Sequence, residues 1–551
     1  MPLNHPTQKL RLPEVLLSLS GCAFTLLVSW RGGFPSIILG VAISFVSLLL
    51  IQCHVRFADI IHKTSRVWLV IASVFTFICI VSLVSILQSE YSVILAHMKR
   101  FKISKEYQMI VIKGSTIALG ALASGFTFCL FSCLLPKLYA IACRLVHSLE
   151  PSERAFIIIF FLLGVFMVTI CYSLTNCFYL PYTTEGTLVE YDVVFTSDTG
   201  VLINNNAFMN IGAIQNDINQ MLFGVFAMPL GIIATLFSKI TWFIPNGYAY
   251  WLGALNVLLL SVTILLMVRM SNLKGTSKIL CLCVLSVSYP TMLFLLNLEQ
   301  YVLALFLLSA FLYTALNNSK YKSMFFLGAA GTLITSGITF PLLLMPYEHF
   351  KPKKAFNFIL KIGICYVMLV VIFGKLPYLL NIFQKQSELL SWYGGVSLSF
   401  EAKLLQFLNF VGNSLFAPVT QISFERGFPR FTLVPISWVS LLGIVVLLVS
   451  ILGFIQNRQN RFVQICGLWI LFSFFVTVIM GWGTVENGLI LYSLYFGWAF
   501  QLLCFLAIDH VLLHFKRLRL VLQSTWVFTM VAINGFAILN LIRFGISYYP
   551  V

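Results

Sequence analysis

The chain has 551 residues, 60% of them hydrophobic and only 10% charged, with a formal net charge of +17. Soluble domains carry about 25% charged residues, so this composition excludes a water-soluble globular protein and makes lipid the solvent. The basic excess does not point to nucleic acid, because the Lys and Arg residues sit in short loops beside apolar runs, where anionic lipid and insertion topology account for them.

Apolar stretches of 18 to 25 residues recur along the chain, and about 20 helical residues cross a hydrocarbon core of about 30 Å. No alternating barrel pattern is present, so backbone satisfaction in lipid requires helices. The expected fold is an all-α integral membrane protein, a polytopic bundle of about 14 to 15 spans with interfacial helices in its outer-face loops. The N-terminal stretch has a basic lead and an apolar run but no small-residue cleavage site before Trp30 and Arg31, so it reads as an uncleaved first span.

The predicted spans run 15–30, 34–53, 67–88, 109–135, 155–175, 248–270, 279–297, 300–316, 323–347, 356–374, 433–456, 462–482, 487–508 and 520–542. Positive charge orients them. Arg269/Lys274/Lys278, Lys320/Lys322, Lys351/Lys353/Lys354, Arg458/Arg461 and Lys516/Arg517/Arg519 belong on the cytoplasmic side. Loop 90–108, with Lys99, Arg100, Lys102 and Lys105, falls outside in this count, against the positive-inside bias. The run 323–347 has Lys-rich loops at both ends, which calls for a hairpin broken near Thr335, Ser336 and Gly337. The run 221–245 must lie at the outer face, and Pro229, Lys239, Trp242 and Pro245 suit an interfacial segment. Four units follow: an N-terminal extension 1–150, a module 151–375 with an outer loop 176–247, a second outer loop 376–432, and C-terminal spans 433–551.

The loop 176–247 is the densest in acids, with Glu185, Glu190, Asp192, Asp198 and Asp217. Glu299 sits in LNLEQYV between two apolar runs, where a retained carboxylate has either a partner and a task or an exposed turn. The second outer loop adds Lys375, Lys385, Lys403, Arg426 and Arg430, with Trp392 and Tyr393. The 13 cysteines lie mostly inside spans and read as small apolar packing residues. Asp509, His510 and His514 share a helix end, but their basic flank and the lack of a second shell disfavour a metal site. No Gly-rich nucleotide loop is present, which fits a lipid-linked donor better than a sugar nucleotide.

From about 155 to 355 the order of features resembles the GT-C class of membrane glycosyltransferases, which includes protein O-mannosyltransferases and lipid A aminoarabinose transferases. The likeness lies in an outer loop with an early acid in FTSDTG and in the acid-led interfacial segment NDINQMLFGVFAMPLGIIATLFSKI. It continues through the hinged pair SYPTMLFLLNLEQYVLALFLLSAFLY and the Gly-rich, Pro-terminated GAAGTLITSGITFPLLLMP. The H-P-P motif is absent, Ser336 stands where a Lys is often found, and four extra spans precede the module.

The resemblance implies a GT-C-like core and transfer of a sugar from a polyprenyl-phosphate donor to a hydroxyl of a glycan, lipid or protein at the extracytoplasmic face of a bacterial plasma membrane. Asp198 would be the base of an inverting displacement, with Asp192 the second choice; Asp217 and Glu299 would position hydroxyls. Asp198 and Asp217 could also share a divalent cation, Mg or Mn. Arg426, Arg430 and Lys375 would meet the carrier phosphate, and Trp392 and Tyr393 would stack on a sugar face. Each of these residues also has a plain reading as loop solvation, helix capping or headgroup contact. The competing functions are a transporter or flippase of lipid-linked or anionic solutes, and an outer-face polysaccharide polymerase or ligase relying on Arg426 and Arg430.

Overall fold

A computed structural model describes residues 64–74, 147–178, 193–195, 197, 199–204, 206–209, 220–332, 352–373, 375–380, 394–395, 398–425, 428–484 and 488–551, with isolated positions 76, 128, 132, 135, 136, 139 and 140. The chain forms two units, Met1–Glu150 and Pro151–Val551. In the first, 66–74 is helical, and Trp68 meets Tyr139 with ring centroids 5.3 Å apart.

The second unit is a helical bundle. Its elements are α1 (Pro151–Leu174), α2 (Thr199–Asn204), α3 (Phe223–Ile240), α4 (Gly247–Met270), α5 (Gly275–Val287), α6 (Tyr289–Leu296), α7 (Gln300–Leu316) and α8 (Lys322–Thr332). Then come α9 (Pro352–Ile372), α10 (Leu376–Leu380), α11 (Phe400–Asn413), β1 (Thr420–Glu425), β2 (Phe428–Leu433), α12 (Val439–Asn457), α13 (Arg461–Phe474), α14 (Gly488–Val511) and α15 (Lys516–Tyr548). A π turn, Phe475–Ile479, extends α13.

Among the described residues eight helices are long and apolar enough to cross a membrane, so the chain is a multi-pass membrane protein. Their outward faces are apolar: on α1, Ile158, Ile159, Leu162, Leu163 and Phe166 are all exposed, as a lipid-facing helix requires. The centre is α14, nearly all of whose residues are buried, its Phe496 and Trp498 packing against Trp469 of α13 and its Tyr495 against Phe496.

The bundle has a basic end. There Glu153, at the start of α1 and fully buried, binds Arg269 at the end of α4, with Nε to Oε1 at 2.8 Å, and Lys278 near the start of α5 at 2.7 Å. Asp509 at the end of α14 receives Gln523 Nε2 at 3.1 Å and lies 3.5 Å from Arg519 of α15. These contacts bring the starts of α1, α5 and α15 and the ends of α4 and α14 to one level.

Two departures from the expected elements are informative. The span expected over 279–297 is broken: α5 and α6 bend by 55° at Ser288, whose ψ of 144° is extended, with Pro290 in the first turn of α6. Lipid cannot satisfy the groups such a break exposes, so the protein does. Asn534 of α15 donates to Val287 O and Leu415 O, both at 2.8 Å, and its Oδ1 accepts from Ala417 N at 2.8 Å. Tyr289 N also reaches Leu415 O, at 3.3 Å.

The second departure is that the fold is not wholly helical. The loop expected over 376–432 contains α11 and an antiparallel β1–β2 hairpin, registered from Thr420↔Leu433 to Glu425↔Phe428. Ser399 caps α11, accepting from Ala402 N at 3.2 Å, and glycines let α11 cross α12 closely, since a Cβ on Gly443 would meet Leu408 O.

α3 passes the length test for a span, yet both its ends lie away from the basic end. Its C-terminus turns directly into the start of α4, where Phe237 stacks on Trp251 at 4.8 Å. Its N-terminus meets Gly331 near the end of α8, through Leu222 N to Gly331 O at 3.1 Å, and Met221 and Leu222 share an apolar cluster with Val370, Phe373 and Leu379. The start of α9 is fixed at the opposite level by Phe358 against Phe326, so Val370 marks its far portion. The run expected as an interfacial segment over 221–245 thus contains a helix long and apolar enough to cross a membrane. The break expected at 335–337 lies outside the described residues.

Candidate functional site

Charged side chains that a membrane protein buries away from its basic end need a reason, because each costs about 2.5 to 3.5 kcal/mol on insertion scales. Three of the residues singled out in the sequence meet that description. Glu299, between α6 and α7, is 1% exposed; Lys375, between α9 and α10, is 0% exposed; Arg430, on β2, is 8% exposed. All three are engaged within the fold. Lys375 and Arg430, whose plain reading is headgroup contact, are thus enclosed by the chain.

Glu299 stands just before α7 in extended backbone, without a side-chain capping bond, and its N–H donates to Asn297 O at 3.0 Å. Beside it stands an aromatic wall. Tyr301 packs on Phe294 at 5.7 Å, Tyr492 at 5.9 Å and Tyr495 at 5.5 Å, and Trp482 Nε1 donates to Tyr492 Oη at 2.8 Å. Trp482 pairs with Gly394, and Gly395 N donates to Thr484 Oγ1 at 2.9 Å, which ties the chain just after Trp392 and Tyr393 to the α13–α14 turn. Asn297 is fully buried, and among the described residues neither side-chain amide atom has a hydrogen-bond partner. The sequence reading missed Asn297; its place two residues before the retained Glu299 was the available signal.

Arg430 belongs to a second cluster. β2 is flanked by the segment that leads to Asp198: Phe195 N donates to Phe431 O and Phe431 N to Val193 O, both at 2.8 Å, and the two Phe rings meet edge-on at 5.3 Å. Phe195 holds φ +52°, a left-handed conformation costly for a bulky residue, and it is fully buried. Ser197 and Thr199, on either side of Asp198 in sequence, are each 3% exposed. On the other flank Tyr549 Oη donates to Pro429 O at 2.7 Å, and Thr175 Oγ1 and Asn176 Nδ2 donate to Tyr549 O and Pro550 O, both at 2.9 Å. Burial raises the Tyr549 phenol above its ordinary pKa, with Cys177 adding to that effect, while the nearby Arg430 charge pulls it down.

Asp192, Asp198, Asp217, Arg426, Trp392 and Tyr393 lie outside the described residues. The Mg or Mn site expected on Asp198 and Asp217 therefore rests on residues whose donor geometry is not on view. Among the described residues no three His, Cys, Asp or Glu side chains form a metal-holding group; Asp509 is instead engaged by Gln523 and Arg519. The seven described cysteines are free thiols. No protein-family model, curated protein or solved structure matches the chain.

Proposed function

We propose that this chain is a membrane glycosyltransferase of GT-C type that moves a sugar from a polyprenyl-phosphate carrier to a hydroxyl of a cell-surface glycan, lipid or protein. The observation that carries the reading is the anchored approach to Asp198. A strained Phe195 and buried Ser197 and Thr199 bracket this acid, and the backbone before it is bonded to the strand that carries buried Arg430. Strain of this kind persists where the surroundings over-determine it, and it concentrates at working sites. The positive-inside rule assigns the basic end to the cytoplasm and this cluster to the opposite, extracytoplasmic face, in a bacterial plasma membrane on this reading.

The chemistry asks little of a general acid, since a phosphate ester leaves readily. Asp198, with Asp192 as the alternative, takes the acceptor hydroxyl proton as its oxygen attacks the anomeric carbon from the side opposite the phosphate. The anomeric C–O bond breaks, polyprenyl phosphate departs, and the configuration inverts. Arg430, Arg426 and Lys375 supply positive charge for the phosphate; Glu299 and Asp217 orient hydroxyls; Trp392 and Tyr393 offer stacking faces.

The broken α5–α6 span favours a second reading, a transporter, because discontinuous helices line transport sites. Against it, Asn534 already fills the break, and the cavity between Thr263, Thr291 and Gln501 holds only about 20 Å³. The discriminating experiment is turnover of polyprenyl-phosphate sugars in reconstituted membranes by wild type and Asp198→Asn. Transfer by the wild type and none by the variant supports the transferase; uptake without transfer supports the transporter.

A further inference from the structure

At the basic half of the bundle a groove of about 430 Å³ opens toward lipid between α12 and α13, floored by Leu503 of α14. Its walls are Leu447, Ile451 and Phe454 on one side and Gly467 and Leu471 on the other. Gly467 makes the notch: a Cβ there would come within 2.5 Å of the Phe454 ring. Ser450 and Gln464 are the polar lining groups; Ser450 Oγ already donates to Val446 O at 2.7 Å and Gln464 Nε2 to Arg458 O at 3.0 Å, and the rest of the lining is apolar. The volume falls within the range of ligand pockets, about 300 to 1,000 Å³.

Depth and charge identify the occupant. Leu447 is ten residues from Asn457 at the end of α12, about 15 Å along the helix, which is half of a hydrocarbon core of about 30 Å. The groove thus spans one leaflet, the one at the basic end. Its mouth is the α12–α13 turn, where Arg458 and Arg461 are exposed. No Asp or Glu occurs anywhere from Arg426 to Val485. Gln464 Nε2 donates to Arg458 O at 3.0 Å, and Asn460 Oδ1 accepts from Phe462 N at 2.9 Å, so the turn is held in one shape over the groove.

We infer that this groove is a binding site for one anionic phospholipid of the leaflet at the basic end, its acyl chain in the Gly467 notch and its phosphate at Arg458 and Arg461. Basic pockets between membrane helices recognise anionic headgroups through this combination of hydrocarbon fit and charge. The site stands apart from the proposed carrier, whose phosphate belongs at the opposite face.

Native mass spectrometry of the full-length protein tests this, with phosphatidylglycerol and phosphatidylcholine of identical acyl chains as the added lipids. One phosphatidylglycerol should be retained in preference to phosphatidylcholine. The double variant Arg458→Ala/Arg461→Ala should weaken that retention on the order of tenfold to thirtyfold. Ile451→Trp, which fills the groove from a position 47% exposed, should abolish it, whereas Leu448→Trp, 61% exposed and outside the lining, should not. Both tryptophans sit at lipid-facing positions, and unchanged thermal unfolding in detergent certifies that the variants are folded. Equal retention of the two lipids, or indifference to the double variant, overturns the assignment. A dimer signal lost in Ile451→Trp would give the groove to a second copy and overturn it too.

Discussion

The two ends of the second unit bury charge in opposite ways. At the basic end Glu153, Arg269 and Lys278 join three helix termini into one ion cluster whose members bind one another. At the far end Glu299 and Lys375 sit in two interhelix connections and Arg430 on β2, among a β hairpin, a left-handed Phe195 and a buried Asn297 whose side chain has no partner among the described residues. One carboxylate shared by two cations ties the helix ends together. Charges dispersed around irregular backbone cost more to place, and the irregularity itself marks where geometry is set by something other than packing. The contrast sets a clasp of helix termini at one end against the irregular backbone of the proposed site at the other.

The comparison breaks first on activity. Asp198→Asn should lower glycosyl transfer by about 10² to 10⁴, the usual worth of a general base, with no change in the unfolding midpoint. Undiminished transfer would remove Asp198 as the base. Glu153→Gln should do the reverse: leaving buried Lys278 and partly exposed Arg269 without their carboxylate costs up to about 3 kcal/mol, read as a fall in the detergent unfolding midpoint, while turnover per folded molecule stays the same. Glu299→Gln sharpens the contrast, with a loss of about tenfold or more in transfer, equivalent to one hydrogen bond to a charged group at about 1.5 to 3 kcal/mol. Equal stability losses in Glu153→Gln and Glu299→Gln would erase the distinction between the ends.

How much of this could be read from the chain follows from what hydropathy encodes. Span positions were legible: 248–270 against α4, 300–316 against α7 and 356–374 against α9 agree closely, since lipid exposure demands an unbroken apolar run. The break at Ser288 was not legible, because Ser288 and Pro290 sit in a run apolar enough to pass as one span, and what makes a break tolerable is Asn534, far away in sequence. The hairpin was hidden for a related reason: β1 and β2 are stabilised by pairing with each other and with 193–195, a nonlocal contact no window registers. Glu299, Lys375 and Arg430 could be found because charge stands out in such a chain, but their burial could not, since it depends on the segments folded around them. Asn297 carries no such contrast and went unseen.

The Asn534 staple gives a prediction of intermediate size. Asn534→Leu keeps the volume but strands Val287 O and Ala417 N in an apolar interior, at about 1 to 3 kcal/mol for each unsatisfied group. Lower thermal stability, with hydrogen exchange at Ala417 raised above that at α14, is expected. If α5 and α6 tolerate the change without loss, other groups must satisfy the break, and its irregularity would then resemble that of the far end.

The smallest effect probes the seam that closes the far end, where 175–178 meets 545–550. Burial pushes the Cys177 thiol up to about 12, against smaller lowering effects of hydrogen bonds from the Thr175 side chain and the Cys177 backbone. Because the folded pKa is raised, the protonated thiol favours the folded state at every pH below the unfolded value of about 8.5 to 9, and that contribution fades as pH climbs toward 12. At pH 9 the thiolate fraction in the fold is on the order of a thousandth, against about half in the unfolded chain, so iodoacetamide should modify native Cys177 on the order of a hundredfold or more slowly. Gly545 tests whether the seam is the cause, since a Cβ there would press within 2.5 Å of Thr175 and 2.6 Å of the Cys177 sulfur. Gly545→Ala should therefore part the two segments and speed labelling of Cys177 while leaving the Glu153 cluster, and the stability it confers, unmoved. Labelling already as fast in the native wild type as in the denatured chain would mean that this seam stands open, and the anchored surroundings of Arg430 and Tyr549 would lose their support.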